Sequence, residues 1–347
     1  MRRILLVILA AAAVWIHPAF AAPGPYAVTD TLGRSLSFWK IPERIVIAGR
    51  AAPLLVDAVY LFPGVSQRVV GVGQTDQGLG DFLPLIDRGA DAKTRFTDSV
   101  APEQLAAVRP DLVILKSSVK AQLGDALERF GIRVLYLDLE SPEKFSADVR
   151  TLGRLFQQPE RAHFIQDWYR SRVEAVARAT AAAERPLVLV VRYCREDGTN
   201  VFSVPPENST QTVMTETAGG LPAWKDAGPG DCWKKVALER LSAWNPRCVF
   251  VVSCGKPSDP IAADIRNSGM RAGTIADFPS DFYSWDQADP RWILGLEWMA
   301  VTLHPGLFPD LDLRAEIREF FTRLYGIDEA TLGSEIFPRL KGVFAQR

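Results

Sequence analysis

A short motif occurs once in each half of the chain, and it constrains the fold more than any other feature of the sequence. Glu-x-Leu-x4-Pro begins at Glu103 and again at Glu239. Each copy leads directly into an apolar run typical of a buried strand, at residues 112–115 and 249–252. A helix-to-strand unit repeated in this way predicts two lobes of similar construction, and two lobes predict a cleft between them.

The N-terminus has the pattern of a secretory signal peptide. Arg2 and Arg3 precede an apolar run over residues 4–14, and Ala-Phe-Ala at residues 19–21 offers the small residues of a cleavage site. The apolar run is too short to cross a bilayer. We therefore expect residues 1–21 to be removed on export. Because no cysteine near the cleavage site could carry a lipid, we expect the mature protein to be soluble in the periplasm.

Beyond the signal peptide, short apolar strands alternate with helices, which is typical of a parallel sheet covered on both faces. Residues 143–185 differ because they are helical almost throughout, and Pro159 can start the longer second helix. The predicted fold class is α/β, with two Rossmann-like lobes built on parallel sheets and joined by one long α-helix. The predicted lobes are residues 22–142 and residues 186–347, with 143–185 as the connecting helical segment.

The net charge limits the classes of binding partner, and the cysteine content indicates disulfide bonds. The formal net charge is −1 over 347 residues, so the balance does not favour nucleic acid or an anionic membrane surface. All four cysteines fall in the second half, and in an oxidising compartment an even count first indicates disulfides. Cys248 opens a strand, so we expect a bond among Cys194, Cys232 and Cys254, with the pairing left open. No CxxC spacing supports the alternative of a thiolate metal site.

Several motifs follow one another in a characteristic order along the mature chain. They are Val28-Thr-Asp30-x-x-Gly33-Arg34, Pro42-Glu43-Arg44-Ile-Val, Glu103-x-Leu-x4-Pro110-Asp111-Leu-Val-Ile and Asp148-Val-Arg-x-Leu152-Gly153. Their order and spacing resemble the substrate-binding proteins of ABC importers for iron–siderophore complexes, haem and cobalamin. The resemblance implies two α/β lobes bridged by one long helix, with a ligand held between them and little hinge closure.

The same resemblance implies a docking role for the two repeated glutamates. In that family each lobe offers an acidic residue to arginines on the transmembrane permease, and the matching positions here are Glu103 and Glu239. Two carboxylates at related points can bind two equivalent arginine clusters through charge-assisted hydrogen bonds. The alternative is that each glutamate merely favours the positive N-terminal end of its own helix.

The ligand cleft is expected at the carboxyl ends of the strands, because open α/β sheets bind ligands there. The basic and aromatic residues selected by this rule are Arg50, Lys116, Arg192, Tyr193, Arg195, Trp224, Trp233, Tyr283 and Trp285. Cationic groups bind carboxylate or phenolate oxygens while aromatic faces cover apolar rings, so this set suits a large planar or anionic chelate. For any one tryptophan the alternative is packing within or between the lobes.

Other ligands of this family are alternatives. Bare zinc or manganese needs several converging histidine and carboxylate ligands, whereas the mature chain offers only His163 and His304 as histidines. Haem could use Tyr193 or Tyr283 as an axial ligand, and backbone amides with a few basic side chains could hold a molybdate-type oxyanion. The match to cobalamin is weaker, because Tyr283 and Gln287 replace the Asp and Arg of the cobalamin-binding members.

An enzyme, for example a secreted hydrolase, is the alternative from another class. The sequence contains neither Gly-x-Ser-x-Gly nor Gly-x4-Gly-Lys-Ser/Thr, and a hydrolase would leave the repeated glutamate motif unexplained. We therefore expect no catalysis, no cofactor and no resident metal. The expectation is a monomeric periplasmic receptor that captures a metal chelate, with a ferric siderophore as the favoured ligand, and delivers it to an ABC-importer permease.

Overall fold

A computed structural model describes residues 24–74, 79–196, 199–228, 232–252 and 272–342, together with 265, 267 and 270. The side chains of residues 194–200 lie outside this description, as does the predicted signal peptide at residues 1–21. Within the described ranges, no helix combines the length and the apolar character needed to cross a membrane.

A parallel sheet forms the core of the first lobe. The strands of this lobe are β1 (Tyr26–Thr29), β2 (Ser35–Phe38), β3 (Ile45–Ile47), β4 (Val69–Gly73), β5 (Thr94–Phe96), β6 (Leu112–Lys116) and β7 (Val134–Leu137). β1 and β2 form an antiparallel hairpin, and the other described strands form the parallel sheet in the order β5-β4-β3-β6-β7. Every residue of β3 and β6 is buried, as expected for central strands of a sheet covered on both faces.

The second lobe has a mixed sheet. Its described strands are β8 (Leu187–Glu196), β9 (Thr199–Val204), β10 (Leu221–Pro222), β11 (Lys234–Val236), β12 (Cys248–Val252) and β13 (Thr274–Asp277). β12 pairs in parallel with β8 and β13, as predicted, whereas β9 and β11 extend the sheet with antiparallel pairs. Only two residues separate β8 from β9, so the chain can return only as an antiparallel hairpin.

Helices connect these strands. The α-helices within the described residues are α1 (Ala52–Val59), α2 (Leu83–Ile86), α3 (Pro102–Ala107), α4 (Asp125–Arg129), α5 (Pro142–Leu155), α6 (Pro159–Thr180), α7 (Thr210–Thr217), α8 (Leu238–Trp244), α9 (Trp292–Leu303), α10 (Leu313–Glu319) and α11 (Glu329–Thr331). Proline begins α3, α5 and α6, where the missing N–H has no intrahelical partner to lose. The long helix therefore starts at Pro159, as the sequence predicts.

Helix α6 is attached to both lobes. Near its N-terminus, Arg161 donates from Nε to the carbonyl oxygen of Leu61 in the first lobe at 2.8 Å. Farther along, Arg172 donates to Glu316 and Glu319 of α10 in the second lobe, both at 2.8 Å. The prediction of two α/β lobes joined by one long helix is confirmed.

Candidate functional site

A cavity of about 250 Å³ lies at the carboxyl ends of β4 and β5. We call it the interlobe cavity, because the first lobe supplies most of its wall and the second lobe supplies Tyr283. Its apolar lining includes Pro53, Val56, Val72 and Leu83, and its polar lining consists of Asp57, Gln74, Asp81, Arg95 and Tyr283. The cavity therefore occurs at the strand ends, where open α/β sheets bind ligands.

A tight turn places helix α1 against this cavity. Gly49 and Ala51 both adopt positive φ, at 81° and 60°, and the helix begins immediately after them. Gly73 on β4 permits the close approach, since a Cβ there would lie 2.5 Å from the Cβ of Ala52. All eight residues of α1 are buried, including Asp57. A carboxylate in such a helix is costly unless a partner from elsewhere in the fold compensates its burial.

Arg291 supplies that partner from the second lobe and gathers three aspartates around one guanidinium. Its Nε donates to both oxygens of Asp281, at 2.7 and 2.9 Å. Its Nη1 donates to Asp57 and, at 3.3 Å, to Asp289. All four side chains are at most 2% exposed. These four residues, which we call the interlobe cluster, join the second lobe to α1 in a region shielded from water.

Aromatic rings enclose the interlobe cluster. The guanidinium carbon of Arg291 lies 4.4 Å from the ring centroid of Phe82 and 4.9 Å from that of Tyr283. Its Nη2 is buried and has no hydrogen-bond partner among the described residues. Stacking on the ring faces partly offsets the cost of that unfilled donor. Tyr283 thus contacts the cluster through its ring while it lines the interlobe cavity.

Burial sets the protonation of these groups. Removal from water raises the pKa of Asp57 to about 7 and that of Asp289 to about 8, while attraction to Arg291 opposes both rises. Burial also raises the pKa of Tyr283, and the charge of Asp57 adds to this rise. The Tyr283 side chain is therefore a neutral phenol, which disfavours a tyrosinate bond to haem iron at this position.

Two of the sequence-predicted tryptophans are buried packing residues in this structure. Trp224 and Trp285 are each at most 2% exposed. Their indole N–H groups donate to Thr212 and to Asp281, both at 3.2 Å. Because Asp281 also binds Arg291, Trp285 supports the interlobe cluster from inside the second lobe.

A second pair of predicted residues is brought together on the second lobe. The guanidinium carbon of Arg192 lies 4.9 Å from the ring centroid of the half-buried Trp233. Tyr193 is also half-buried, with its ring centroid 5.5 Å from that of Phe202. The side chain of Arg195 lies outside the described residues.

The two predicted cations of the first lobe have different surroundings. Lys116 is 3% exposed, and its Nζ donates to the carbonyl oxygen of Asp138 and to the carboxylate of Glu140. Its charge is therefore already balanced within the protein. Arg50 is exposed in the turn that precedes α1.

The predicted site residues did not include the two carboxylates of the interlobe cavity. Asp57 could have been noticed as the one charged residue in the apolar run of residues 54–61. Asp81 had no such signal, because it lies in a polar loop. It forms an ion pair with Arg95 at 3.2 Å, and this pair borders the cavity.

Comparison with known proteins identifies the family. Residues 54–279 match the family model described as periplasmic binding protein. This chain belongs to the periplasmic binding protein family. It is similar to the vitamin B12-binding protein of Salmonella choleraesuis (strain SC-B67), with 23% identity over 202 residues that cover 58% of this chain and 72% of that protein.

Solved structures share the fold of this periplasmic binding protein. A periplasmic solute binding protein from Veillonella parvula DSM 2008 has a TM-score of 0.70 at 21% identity, covering 90% of this chain and 97% of that one. The molybdate periplasmic binding protein MolA of Haemophilus influenzae, bound to molybdate, has a TM-score of 0.67 at 17% identity, covering 87% of this chain and 98% of that one.

In this periplasmic binding protein the two repeated glutamates occupy equivalent places. Glu103 lies in the first turn of α3 and Glu239 in the first turn of α8, and both side chains are exposed. Within the described ranges neither carboxylate has an ion-pair partner. Leu105 and Leu241, two residues later, are completely buried and anchor each helix. Each motif leads into the strand second from one end of its sheet, β6 or β12.

The cysteines are only partly described. Cys232 is exposed and Cys248 is buried, and both are free thiols. The side chain of Cys194 and the whole of Cys254 lie outside the described residues. Of the predicted pairings among Cys194, Cys232 and Cys254, only the Cys194–Cys254 bond therefore stays a prediction, because Cys232 is a free thiol. Among the residues that the structure describes, no group of three or more His, Cys, Asp or Glu side chains is arranged to hold a metal ion.

Proposed function

We propose that this periplasmic binding protein captures a metal chelate, with a ferric siderophore as the favoured ligand, and delivers it to the permease of an ABC importer. The observation that supports this most is the interlobe cavity at the strand ends. Its wall combines apolar side chains with a few hydrogen-bonding groups, which is the usual composition of a small-molecule site. Ligand capture then depends on desolvation, hydrogen bonding and charge matching, and no covalent bond is made or broken.

Cobalamin is the second candidate, because the Salmonella relative is named a vitamin B12-binding protein. Two positions of this chain favour the siderophore instead. Tyr283 and Gln287 stand where the resemblance places the Asp and Arg of cobalamin-binding members. Tyr283 lines the interlobe cavity, so the replacement changes the chemistry of the ligand wall.

The similar Haemophilus structure is bound to molybdate, which favours a molybdate-type oxyanion as the ligand. The side chains that line the cavity do not favour such an anion. A small anion needs basic side chains or backbone amides that are free to bind it. Arg95 is the one basic residue among the described lining residues, and Asp81 already pairs with it. Haem is a further alternative, although the neutral phenol of Tyr283 does not favour it.

Titration of the purified mature protein with ferric siderophores, haem, cobalamin and molybdate tests the proposal. Isothermal calorimetry gives the affinity, and tryptophan fluorescence gives an independent readout because Trp285 donates a hydrogen bond to Asp281 of the interlobe cluster beside the cavity. We expect one ferric chelate to bind saturably at one site per chain. A response to molybdate alone would show that the ligand is an oxyanion and would overturn the siderophore assignment.

We also propose that residues 1–21 are removed during export to the periplasm, and that the mature protein is a monomer. Its lobes would be residues 22–142 and 186–347, joined by residues 143–185. N-terminal sequencing of protein from a periplasmic extract should give a start at Ala22. An intact Met1 on periplasmic protein would contradict the cleavage.

A further inference from the structure

The interlobe cavity is small for an entire metal chelate. Its volume of about 250 Å³ lies below the range of roughly 300–1,000 Å³ in which pockets enclose drug-sized ligands. A chelate that rests between the lobes can therefore place one substituent inside this cavity while its metal centre lies outside. The lining of the cavity then selects that substituent.

The sides of the cavity suit an aliphatic chain. Pro53 and Val56 of α1 face it together with Val72 of β4 and Leu83 of α2. Burying an aliphatic chain against these side chains removes apolar surface from water on both partners, which is favourable. This part of the wall offers no group that would bind a charge.

The charged groups in the wall favour a cation. Asp57 and Asp81 are two carboxylates, whereas Arg95 is the one basic residue among the described lining residues. Arg95 is already paired with Asp81 at 3.2 Å. Behind the wall, Arg291 is shared by Asp57 and two further aspartates. Carboxylates therefore outnumber guanidiniums in the described wall and the cluster behind it, and this excess of negative charge favours a cationic substituent over an anionic one.

Two polar atoms in the wall are available to a ligand. Arg291 donates to Oδ2 of Asp57, and Oδ1 accepts no hydrogen bond from the described part of the chain. Tyr283 is 5% exposed, and no described residue makes a hydrogen bond with its hydroxyl group. A ligand in the cavity can therefore form hydrogen bonds with both atoms.

We infer that the ligand carries an aliphatic arm ending in a primary ammonium group, and that this arm enters the interlobe cavity, where Asp57, Asp81 and Tyr283 bind the ammonium. The inference rests on the proposed function, since the arm belongs to the ferric chelate. A primary ammonium has three donors, which match two carboxylates and one phenol oxygen. The substrate class is thereby narrowed to chelates whose periphery is cationic rather than polyanionic.

Two ferric chelates that differ only in this group test the inference. Ferrioxamine B is a trishydroxamate with a primary amine at the end of an aliphatic chain, and its N-acetyl derivative keeps the iron centre without the charge. In titration calorimetry with the mature protein we expect ferrioxamine B to bind at least about tenfold more tightly, the effect of one charge-assisted hydrogen bond. Equal affinities, or tighter binding of the acetylated chelate, would overturn the inference.

Substitutions in the wall show where the ammonium binds. Asp81→Asn removes a charge from a side chain that is 45% exposed, so the variant should fold. We expect it to reduce the preference for ferrioxamine B and to leave the affinity for the acetylated chelate unchanged. Asp57→Asn should do the same if it folds. Asp91→Asn is the matched control, because Asp91 is exposed in the same lobe outside the cavity wall. A preference that Asp81→Asn leaves unchanged would place the ammonium elsewhere and refute the site.

A third chelate separates failure of the inference from failure of the proposed function. A ferric tris-catecholate is a trianion without an ammonium arm. If it binds while neither trishydroxamate does, the protein is still a siderophore receptor and the inference is wrong. If no ferric chelate binds, the proposed function fails, and the inference fails with it.

Discussion

At the residue scale, one buried guanidinium connects the two lobes to the candidate site. Arg291 binds Asp281 and Asp289 from its own lobe and Asp57 from the other, and its charge lies over the rings of Phe82 and Tyr283. Buried ions of this kind add little net stability when every partner is present, because desolvation cancels much of the attraction. Removing one partner is costly, since the charges left behind have neither water nor a counterion.

Replacing this guanidinium should therefore destabilise the protein strongly. We expect Arg291→Met to lower the free energy of unfolding by about 3–5 kcal/mol, because the buried carboxyl groups of Asp57, Asp281 and Asp289 lose the guanidinium that binds them. Urea denaturation followed by fluorescence measures the change. The control is Arg318→Met, since Arg318 is 42% exposed in an ion pair with Glu329 and should cost at most about 1 kcal/mol. Equal losses in the two variants would contradict the role given to the interlobe cluster.

The cluster also predicts how stability depends on pH. The pKa of Asp289 is about 8 in the folded protein against an ordinary value of 3.8, so the folded protein keeps a proton that the unfolded chain releases. The resulting stabilisation is complete below pH 3.8 and is lost as the pH rises through 8. We expect the free energy of unfolding to decrease over this window, and to decrease less in Asp289→Asn. Urea denaturation at a series of pH values tests this, and parallel curves for the two proteins would contradict it.

At the element scale, the repeated motif builds the same unit in each lobe. A short helix carries an exposed glutamate in its first turn, a fully buried leucine fixes the helix to the lobe, and the chain continues into a buried strand. Because the leucine anchors the helix, it also fixes the position of the glutamate before it. Leu105 and Leu241 thus determine where the two carboxylates lie on the surface.

Truncating either anchor should destabilise its lobe. We expect Leu105→Ala and Leu241→Ala each to lower the free energy of unfolding by about 2–5 kcal/mol, the cost of lost burial plus a residual cavity. Leu32→Ala is a matched control because Leu32 is 42% exposed, and it should change stability by about 0.5 kcal/mol or less. Thermal and urea denaturation both measure the effect. A variant of either motif leucine as stable as the control would argue against this anchoring.

At the scale of the whole molecule, a long helix and a buried ion cluster both help to join the two lobes. Helix α6 contacts both of them through Arg161 and Arg172, and the interlobe cluster joins them beside the cavity. Such a molecule presents Glu103 and Glu239 as two exposed carboxylates at equivalent points. Two fixed carboxylates can be matched by a partner with two fixed cationic sites.

Removing both carboxylates should therefore uncouple capture from delivery. We expect Glu103→Gln with Glu239→Gln to abolish uptake of the chelate by cells while changing its affinity for the purified protein less than about twofold, since neither residue lines the cavity. Radiolabelled iron uptake and calorimetry give the two readouts. Glu160→Gln is the control, because Glu160 is an exposed glutamate in the first turn of α6 and tests whether any such glutamate matters. A large loss of ligand affinity in the double variant would refute the docking role.

The sequence by itself determined the architecture. The repeated Glu-x-Leu-x4-Pro motif, the apolar strand runs and the proline before the long helix are local patterns, and each reports directly on the burial or the start of one element. These patterns predicted two α/β lobes and a helix between them. They did not predict that β9 and β11 extend the second sheet with antiparallel pairs. An apolar run indicates a strand, but the direction of that strand depends on the length of the connection that precedes it.

Only the tertiary structure decided which side chains meet at the site. Asp57 and Arg291 are 234 residues apart along the chain, and no periodicity connects them. The rule of strand ends selected Trp224, Trp285 and Lys116 by position, but burial and hydrogen bonding placed all three in the interior. A local pattern gives the element on which a residue lies, whereas the direction and partners of its side chain depend on packing between distant elements. The lobes were therefore readable from the sequence, and the chemistry of the cavity between them was not.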